Sequence, residues 1–198
     1  MSRYNWLIFC VLIFLVSCNK QAGQKVYTFN EGETQGTFYH ITYLQPEGKD
    51  LHNLIKQKLV EFDFSLSNYN PLSLISAINA NKDTVTDAYF ETMYAAATNV
   101  SQHTPGAVAI TVAPLVKAWG FGFGNKGHDF QPNIDSIMPF IGYQKIKLVN
   151  HRLIKDNPGI QIDAAAIAQG YSCDVIANLL KENGCENYMV EIGGEINC

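Results

Sequence analysis

Alternation with a period of two is the first pattern along the chain. In Gly36 to Leu44 (GTFYHITYL), Phe38, His40, Thr42 and Leu44 share one face, and Tyr39, Ile41 and Tyr43 share the other. That spacing predicts a half-buried strand, with Val26 to Phe29 as its antiparallel partner. Beyond Pro46 and Gly48 the period becomes helical: Leu51, Leu54, Ile55, Leu59 and Phe62 recur on one side behind Asp50, a capping residue. Asn68, Asn70 and Pro71 predict a turn with Tyr69 at its tip, and Ser73 caps a short helix carrying Leu74, Ile75 and Ile78. Asp87 opens a longer helix that buries Phe90, Met93, Tyr94, Ala97 and Val100 and stops at Thr104-Pro105-Gly106. The β-branched content of Ala107 to Val112 predicts a strand, and Pro114 a helix start. A further helix is predicted around Ile134 to Ile141, then a hairpin about Asn150-His151.

The densest pattern is Ile162 to Asp174 (IDAAAIAQGYSCD). Asp163 stands where an N-cap belongs, before Ala164, Ala165 and Ala166, and its carboxylate is expected to accept first-turn amides. Ile167, Tyr171, Val175 and Leu179, widened by Ile176 and Leu180, form the apolar stripe of a helix running towards Gly184 at its C-terminal end. Gly170 inside that helix costs about 1 kcal/mol relative to alanine. It implies that a ligand or another backbone comes too close for a side chain, and close helix–strand packing is as good an explanation as a ligand. A β-rich run, Asn187 to Ile196, follows, broken by Gly193-Gly194 and then Glu195. Helices and strands are thus mixed, with no internal repeat and no interior linker, which makes the fold class α+β.

Composition narrows the chemistry. A chain of 198 residues with 47% hydrophobic content can bury a substantial core. Its net charge of −4, with Lys and Arg scattered, excludes a nucleic-acid surface. The five cysteines form no C-x-x-C pair, and the five histidines form no H-x-x-x-H or H-E-x-x-H arrangement, so no zinc site is predicted. Trp119 to Gly124 (WGFGFG) has no following lysine and makes neither a Walker loop nor a dinucleotide turn. Ser65, Ser67 and Ser73 lack a nucleophile-elbow context. The acids Asp163, Asp174, Glu191 and Glu195 remain. A carboxylate at a helix head can accept hydrogen bonds from an adenine or flavin edge, and a nearby backbone carbonyl can help to hold Mg²⁺. A plain cap is the competing role for Asp163.

The N-terminus reads as a targeting segment. Arg3 precedes the apolar run Trp6 to Val16, which is too short to span a bilayer comfortably, and Leu15-Val16-Ser17-Cys18 matches a bacterial lipobox. Residues 1–17 are therefore expected to be a lipoprotein signal peptide, Cys18 the lipidation site, 18–25 a tether and 26–198 the folded domain. The expected location is outside the cytoplasm, anchored to a bacterial membrane, with the periplasmic face of the inner membrane favoured.

Taken together, the motifs resemble the ApbE family of FAD:protein FMN transferases. Asp163, Ala166, Gln169, Gly170 and Tyr171 match its Asp-x-x-(Ala/Thr)-x-x-(Lys/Glu/Gln)-Gly-Tyr block, and Gly193, Gly194 and Glu195 its Gly-Gly-(Glu/Asp) strand end. Gln35 to Tyr43, Leu66 to Asn79 and Thr111 to Gly122 resemble its earlier blocks, in the same order. The resemblance implies a mixed, largely antiparallel sheet packed with helices, cut short at the C-terminal side because family members run well beyond the Gly-Gly-Glu strand. It implies FAD contacts at Gln35, Tyr69, Ala107, Val108, Ala109, Asp163 and Gln169, and a Mg²⁺ contact through the carbonyl of Ala166; it assigns no catalytic residue. The implied activity is Mg²⁺-dependent attachment of FMN to a Thr or Ser hydroxyl of an extracytoplasmic redox protein, at a Ser/Thr-Gly-Ala-Ser/Thr site. The alternative is a lipid-anchored FAD-binding protein without chemistry. Val108 and Ala109 stand where the family has Phe-Asp, and Gln35 replaces the common methionine. The strand Tyr188 to Ile192 is expected to pair with chain beyond Cys198.

Overall fold

The computed structural model describes residues 26–104, 106–121 and 132–198. The alternating segments form β1 (Thr28–Thr34) and β2 (Thr37–Leu44), antiparallel from Thr34↔Thr37 to Thr28↔Tyr43. Gln35 and Gly36 link them with φ of 52° and 74°, the two-residue turn whose twist suits paired strands. Tyr39, Ile41 and Tyr43 are buried, as the alternation predicts.

α1 (His52–Leu66) starts beside Asp50, whose Oδ1 accepts the His52 amide at 2.9 Å. α2 (Leu74–Asn79) is capped by Ser73 and α3 (Ala88–His103) by Asp87, both as predicted. In α3 the buried stripe is Phe90, Met93, Ala97 and Ser101, while Val100 is 41% exposed. The stripe ends on Ser101 because its hydroxyl donates to the carbonyls of Ala97 and Val108, tying the following chain against that face.

The predicted strand Ala107 to Val112 does not form. Its backbone groups are used singly: Ala107 N–H reaches Thr104 O, Val112 N–H reaches Ala109 O, and Ile110 O accepts the Asp163 amide. β-Branched residues favour a strand only when a partner ladder exists, and here the ladder is replaced by turns. α4 (Ala113–Ala118) begins with proline in its first turn, as expected. The helix predicted to Ile141 is shorter. It forms α5 (Ile134–Ile137) and tightens into a 3₁₀ turn over Met138–Phe140, where Pro139 has no amide to continue the ladder. β3 (Ile146–Val149) and β4 (Arg152–Lys155) make the expected hairpin, with φ of 49° at Asn150 and 58° at His151.

α6 (Ala165–Glu182), β5 (Asn187–Ile192) and β6 (Glu195–Asn197) complete the described chain. The main sheet runs β1-β2-β5-β6, antiparallel throughout, and β3-β4 form a separate ribbon. The expectation that Tyr188 to Ile192 needs outside chain to pair with is therefore corrected: β5 is interior, flanked by β2 and β6.

α6 lies between two cores. One contains Tyr39, Ile41, Ile55, Cys173, Ile176 and Leu180; the other contains Phe62, Ile75, Phe90, Ile110, Ile160 and Ile162. This widens its buried face beyond the predicted stripe, of which Ile176 and Leu180 are fully buried. Ser172, Cys173, Ile176, Ala177 and Leu180 are fully buried, whereas Ile167, Tyr171 and Val175 pack partly against the second core and Leu179 partly against the first. A helix covered on two sides has no single apolar stripe for a 3.6-residue period to reveal.

Candidate ligand-binding site

The site grows from the turn after α1. Ser67 Oγ accepts the amides of Tyr69 (3.2 Å) and Asn70 (3.1 Å), Ser73 Oγ donates to Ser67 O (2.6 Å), and Asn70 Nδ2 donates to Asp63 Oδ2 (3.2 Å). These bonds hold Tyr69 at the tip, 61% exposed.

Opposite the turn is the approach to α6. Asn79 clamps Ile162 from both sides, donating to its carbonyl at 2.8 Å and accepting its amide at 2.6 Å. The Asp163 amide donates to Ile110 O at 2.7 Å. Asp163 Oδ1 accepts the Ala165 amide and Asn68 Nδ2, each at 2.8 Å. Asp163 is thus not the N-cap. That position falls to Ala164, which offers no side-chain cap, and Asp163 satisfies a single helix amide from one residue further out. Its Oδ2 receives no hydrogen bond from the described residues.

The Gly-Gly turn forms the third wall. Gly193, at φ +58°, donates its amide to Phe38 O (3.1 Å), and a Cβ there would lie 2.5 Å from Gln169 Nε2 and 2.9 Å from Thr37 Cγ2. The left-handed backbone and the fixed Thr37 methyl favour glycine here, and the Gln169 side chain lies in the space a Cβ would take. Glu191 Oε1 accepts the Gly194 amide at 2.6 Å, and Glu191 Oε2 meets His40 Nδ1 at 2.7 Å. The bond from His40 and that from the Gly194 amide hold the Glu191 carboxyl below the usual range.

Between these walls is a cavity of about 200 Å³ whose lining includes Gln35, Phe62, Asn68, Tyr69, Ala168 and Gln169. Whole-ligand pockets run to ~300–1,000 Å³, so it can enclose one ring system of a dinucleotide and no more. Two buried polar atoms of its lining have no hydrogen-bond partner, Gln35 Nε2 and Asn68 Oδ1. Each such group costs about 1–3 kcal/mol, and a bound molecule is one way to recover that cost.

Of the residues expected at the site, Gln35, Tyr69 and Gln169 line the cavity, and Asp163 joins its margin through Asn68. Ala107, Val108 and Ala109 do not line it. They lie on the turn whose next residue, Ile110, accepts the Asp163 amide; Ala107 is exposed, and the Val108 carbonyl is taken by Ser101. Ala166 is exposed in the first turn of α6, also outside the lining. Cys18 lies outside the described residues. Among the described residues the close packing considered for Gly170 is absent, because an added Cβ would meet only Glu195 Oε2, at 3.7 Å. Asn68, Asn79 and Phe62 carry more of the site than their sequence positions suggest. Asn68 had the signal of adjoining Tyr69, whereas Asn79 had none.

The described residues do not by themselves make a magnesium site. Among them no group of three or more His, Cys, Asp or Glu side chains could hold a metal. The Ala166 carbonyl belongs to the helical ladder, and octahedral Mg²⁺ asks for several further oxygens. Thiol chemistry is equally unsupported: Cys173 Sγ is buried against Glu195 O at 3.3 Å, and burial pushes its thiol up to about 11.

The ApbE family profile matches residues 35–198. The chain is 34% identical, over 97% of its length, to the FAD:protein FMN transferase of Vibrio cholerae serotype O1, and 33% identical, over 92%, to that of Haemophilus influenzae. It spans 60% and 56% of those relatives. The solved flavin transferase ApbE from Vibrio cholerae aligns with a TM-score of 0.81 at 32% identity, covering 86% of this chain and 58% of that one. The apo form of Pseudomonas stutzeri flavinyl transferase ApbE aligns with a TM-score of 0.81 at 29% identity, covering 88% and 61%. With a family profile matching residues 35–198 and TM-scores of 0.81 to two solved flavin transferases, the chain belongs to the ApbE family.

Proposed function

We propose that this chain carries the FAD-binding part of a flavin transferase that moves FMN from FAD to a Thr or Ser hydroxyl of an acceptor protein. The observation that carries the reading is the meeting of Gln35, Tyr69, Gln169 and, through Asn68, Asp163 around one ring-sized cavity. The acceptor hydroxyl gives its proton to solvent, its oxygen bonds to the FMN phosphorus, and the phosphorus–oxygen bond to AMP breaks, AMP leaving with the bonding pair. Asn68, Asn79 and Ile110 fix Asp163 before ligand arrives, so little ordering is left for the binding step.

Three finer parts of the proposal rest on the family resemblance and the N-terminal sequence. These are dependence on Mg²⁺, an acceptor site of the form Ser/Thr-Gly-Ala-Ser/Thr, and a lipid anchor at Cys18 that places the domain, residues 26–198, outside the cytoplasm. Magnesium would neutralise the pyrophosphate, with the Ala166 carbonyl as one contact and other oxygens from outside the described residues.

The test incubates the protein with FAD, Mg²⁺ and an acceptor bearing that site, followed by a denaturing gel. A fluorescent acceptor band that vanishes when Mg²⁺ is chelated supports the transferase reading. A tight yellow complex with no labelled acceptor would instead favour the FAD-binding protein without chemistry.

A further inference from the structure

Asn68 is a turn former by its sequence context, yet its side chain bridges two parts of the site. A carboxylate can only accept, so the atom 2.8 Å from Asp163 Oδ1 is the amide nitrogen and the carbonyl oxygen must point the other way. That oxygen is buried without a partner. Gln35 Nε2, on the β1–β2 turn, is a second unpartnered buried atom of the same lining. Two residues of one lining thus carry an unpaired acceptor, from the α1 turn, and an unpaired donor, from the hairpin, both shielded from water in the free chain.

We propose that Asn68 is a positioning and specificity-determining residue: its N–H half locks Asp163, and its carbonyl half reads an N–H donor on a ring edge of the bound dinucleotide. The inference rests on the flavin reading above and adds which ligand edge is recognised. The matching edge carries an N–H donor beside a ring nitrogen or carbonyl acceptor. Adenine has one, its exocyclic amine beside a ring nitrogen; the isoalloxazine ring has the other, N3–H beside a carbonyl. Water does not reach Asn68 Oδ1 in the free chain, so ligand entry must shift the exposed Tyr69 turn enough to exchange an unsatisfied acceptor for a hydrogen bond.

The locking half makes a second demand. Asp163 Oδ1 is filled by Asn68 and Ala165, and Oδ2 receives no hydrogen bond from the described residues. Of the nearby carboxylates, Asp63 is bound by Asn70 on α1, and Asp163 is the one facing Asn68. A protonated aspartate at position 68 has the same shape as asparagine, with an O–H to donate to Asp163 and a carbonyl to accept. An ionised one sets two carboxylates against each other.

The experiment titrates FAD by flavin fluorescence against wild type, Asn68→Leu and Asn68→Asp, with melting temperatures recorded for each. Asn68→Leu should raise Kd about 10- to 100-fold, the loss expected when a buried hydrogen bond goes unmade. Asn68→Asp should bind more weakly than wild type at pH 8 and recover towards wild type as pH falls to 5, a recovery absent from Asn68→Leu. The same titrations with the hypoxanthine analogue of FAD and with N3-methyl FAD identify the edge. Wild type should discriminate against one analogue and Asn68→Leu against neither. If wild type binds FAD but discriminates against neither analogue, or if Asn68→Asp stays folded without recovering at low pH, the role given to Asn68 is wrong. If wild type binds no FAD, the flavin reading itself falls.

Discussion

Replacing Gly193 with alanine separates two costs at the glycine turn. The first is conformational: an L-residue in the left-handed region loses about 1–2 kcal/mol, and Gly193 sits at φ +58°. The second is steric, since the new methyl would be 2.5 Å from Gln169 Nε2 and 2.9 Å from Thr37 Cγ2. Gln169 can swing its flexible end away, but Thr37 is fixed in β2, and overpacking of this kind costs about 1–3 kcal/mol. Gly194→Ala is the internal control. At φ +94° it bears the first cost, but nothing lies within 4 Å of its Cβ. In urea unfolding followed by circular dichroism, Gly193→Ala should therefore lose about 2–5 kcal/mol, and Gly194→Ala about 1–2. Adding Gln169→Ala to Gly193→Ala should return part of the difference, a coupling a double-mutant cycle reads directly. Equal losses for the two single variants, or no coupling to Gln169, would refute the placement of Gln169 against the turn.

The remaining predictions concern α6. Gly170→Ala should raise stability by about 1 kcal/mol, the helix-propensity gain, because no protein atom crowds the site. The same variant should weaken FAD binding, and an unchanged FAD titration would show that no ligand approaches there. Asp163→Asn should lower the melting temperature little, because an amide oxygen can still accept from Ala165 and Asn68, and should weaken FAD binding more; equal affinity at matched melting temperature would leave Asp163 only the structural role of holding the Ala165 amide and Asn68. For Cys173, burial lifts the folded thiol to about 11, so below the ordinary thiol value both folded and unfolded forms are protonated and it adds no pH dependence. As pH rises from about 8.5 the unfolded thiol ionises first, and stability should fall by up to about 1.4 kcal/mol per pH unit. Denaturation at pH 8, 9 and 10 should show a slope that Cys173→Ala reduces, and equal slopes would contradict the burial.

Local signals in the sequence determined a good part of this molecule. The alternation of Tyr39, Ile41 and Tyr43, the caps Ser73 and Asp87, and the Asn150-His151 turn act within one strand or one helical turn, so a single sequence carries them. Family motifs singled out Gln35, Tyr69 and Gln169, which line the cavity, and Asp163 beside it, but also Ala107 to Ala109 and Ala166, which do not line it. Tertiary structure decided what depends on distant chain. Ala107 to Val112 had strand composition but no ladder partner, and the buried face of α6 widened beyond the predicted stripe to Ser172, Cys173 and Ala177 because two cores cover it. Asn68 meets Asp163 across 95 residues and Asn79 meets Ile162 across 83. A hydrogen bond of that separation has no period and no spacing to betray it. It exists only once packing of the two cores has brought the α1 turn against the head of α6.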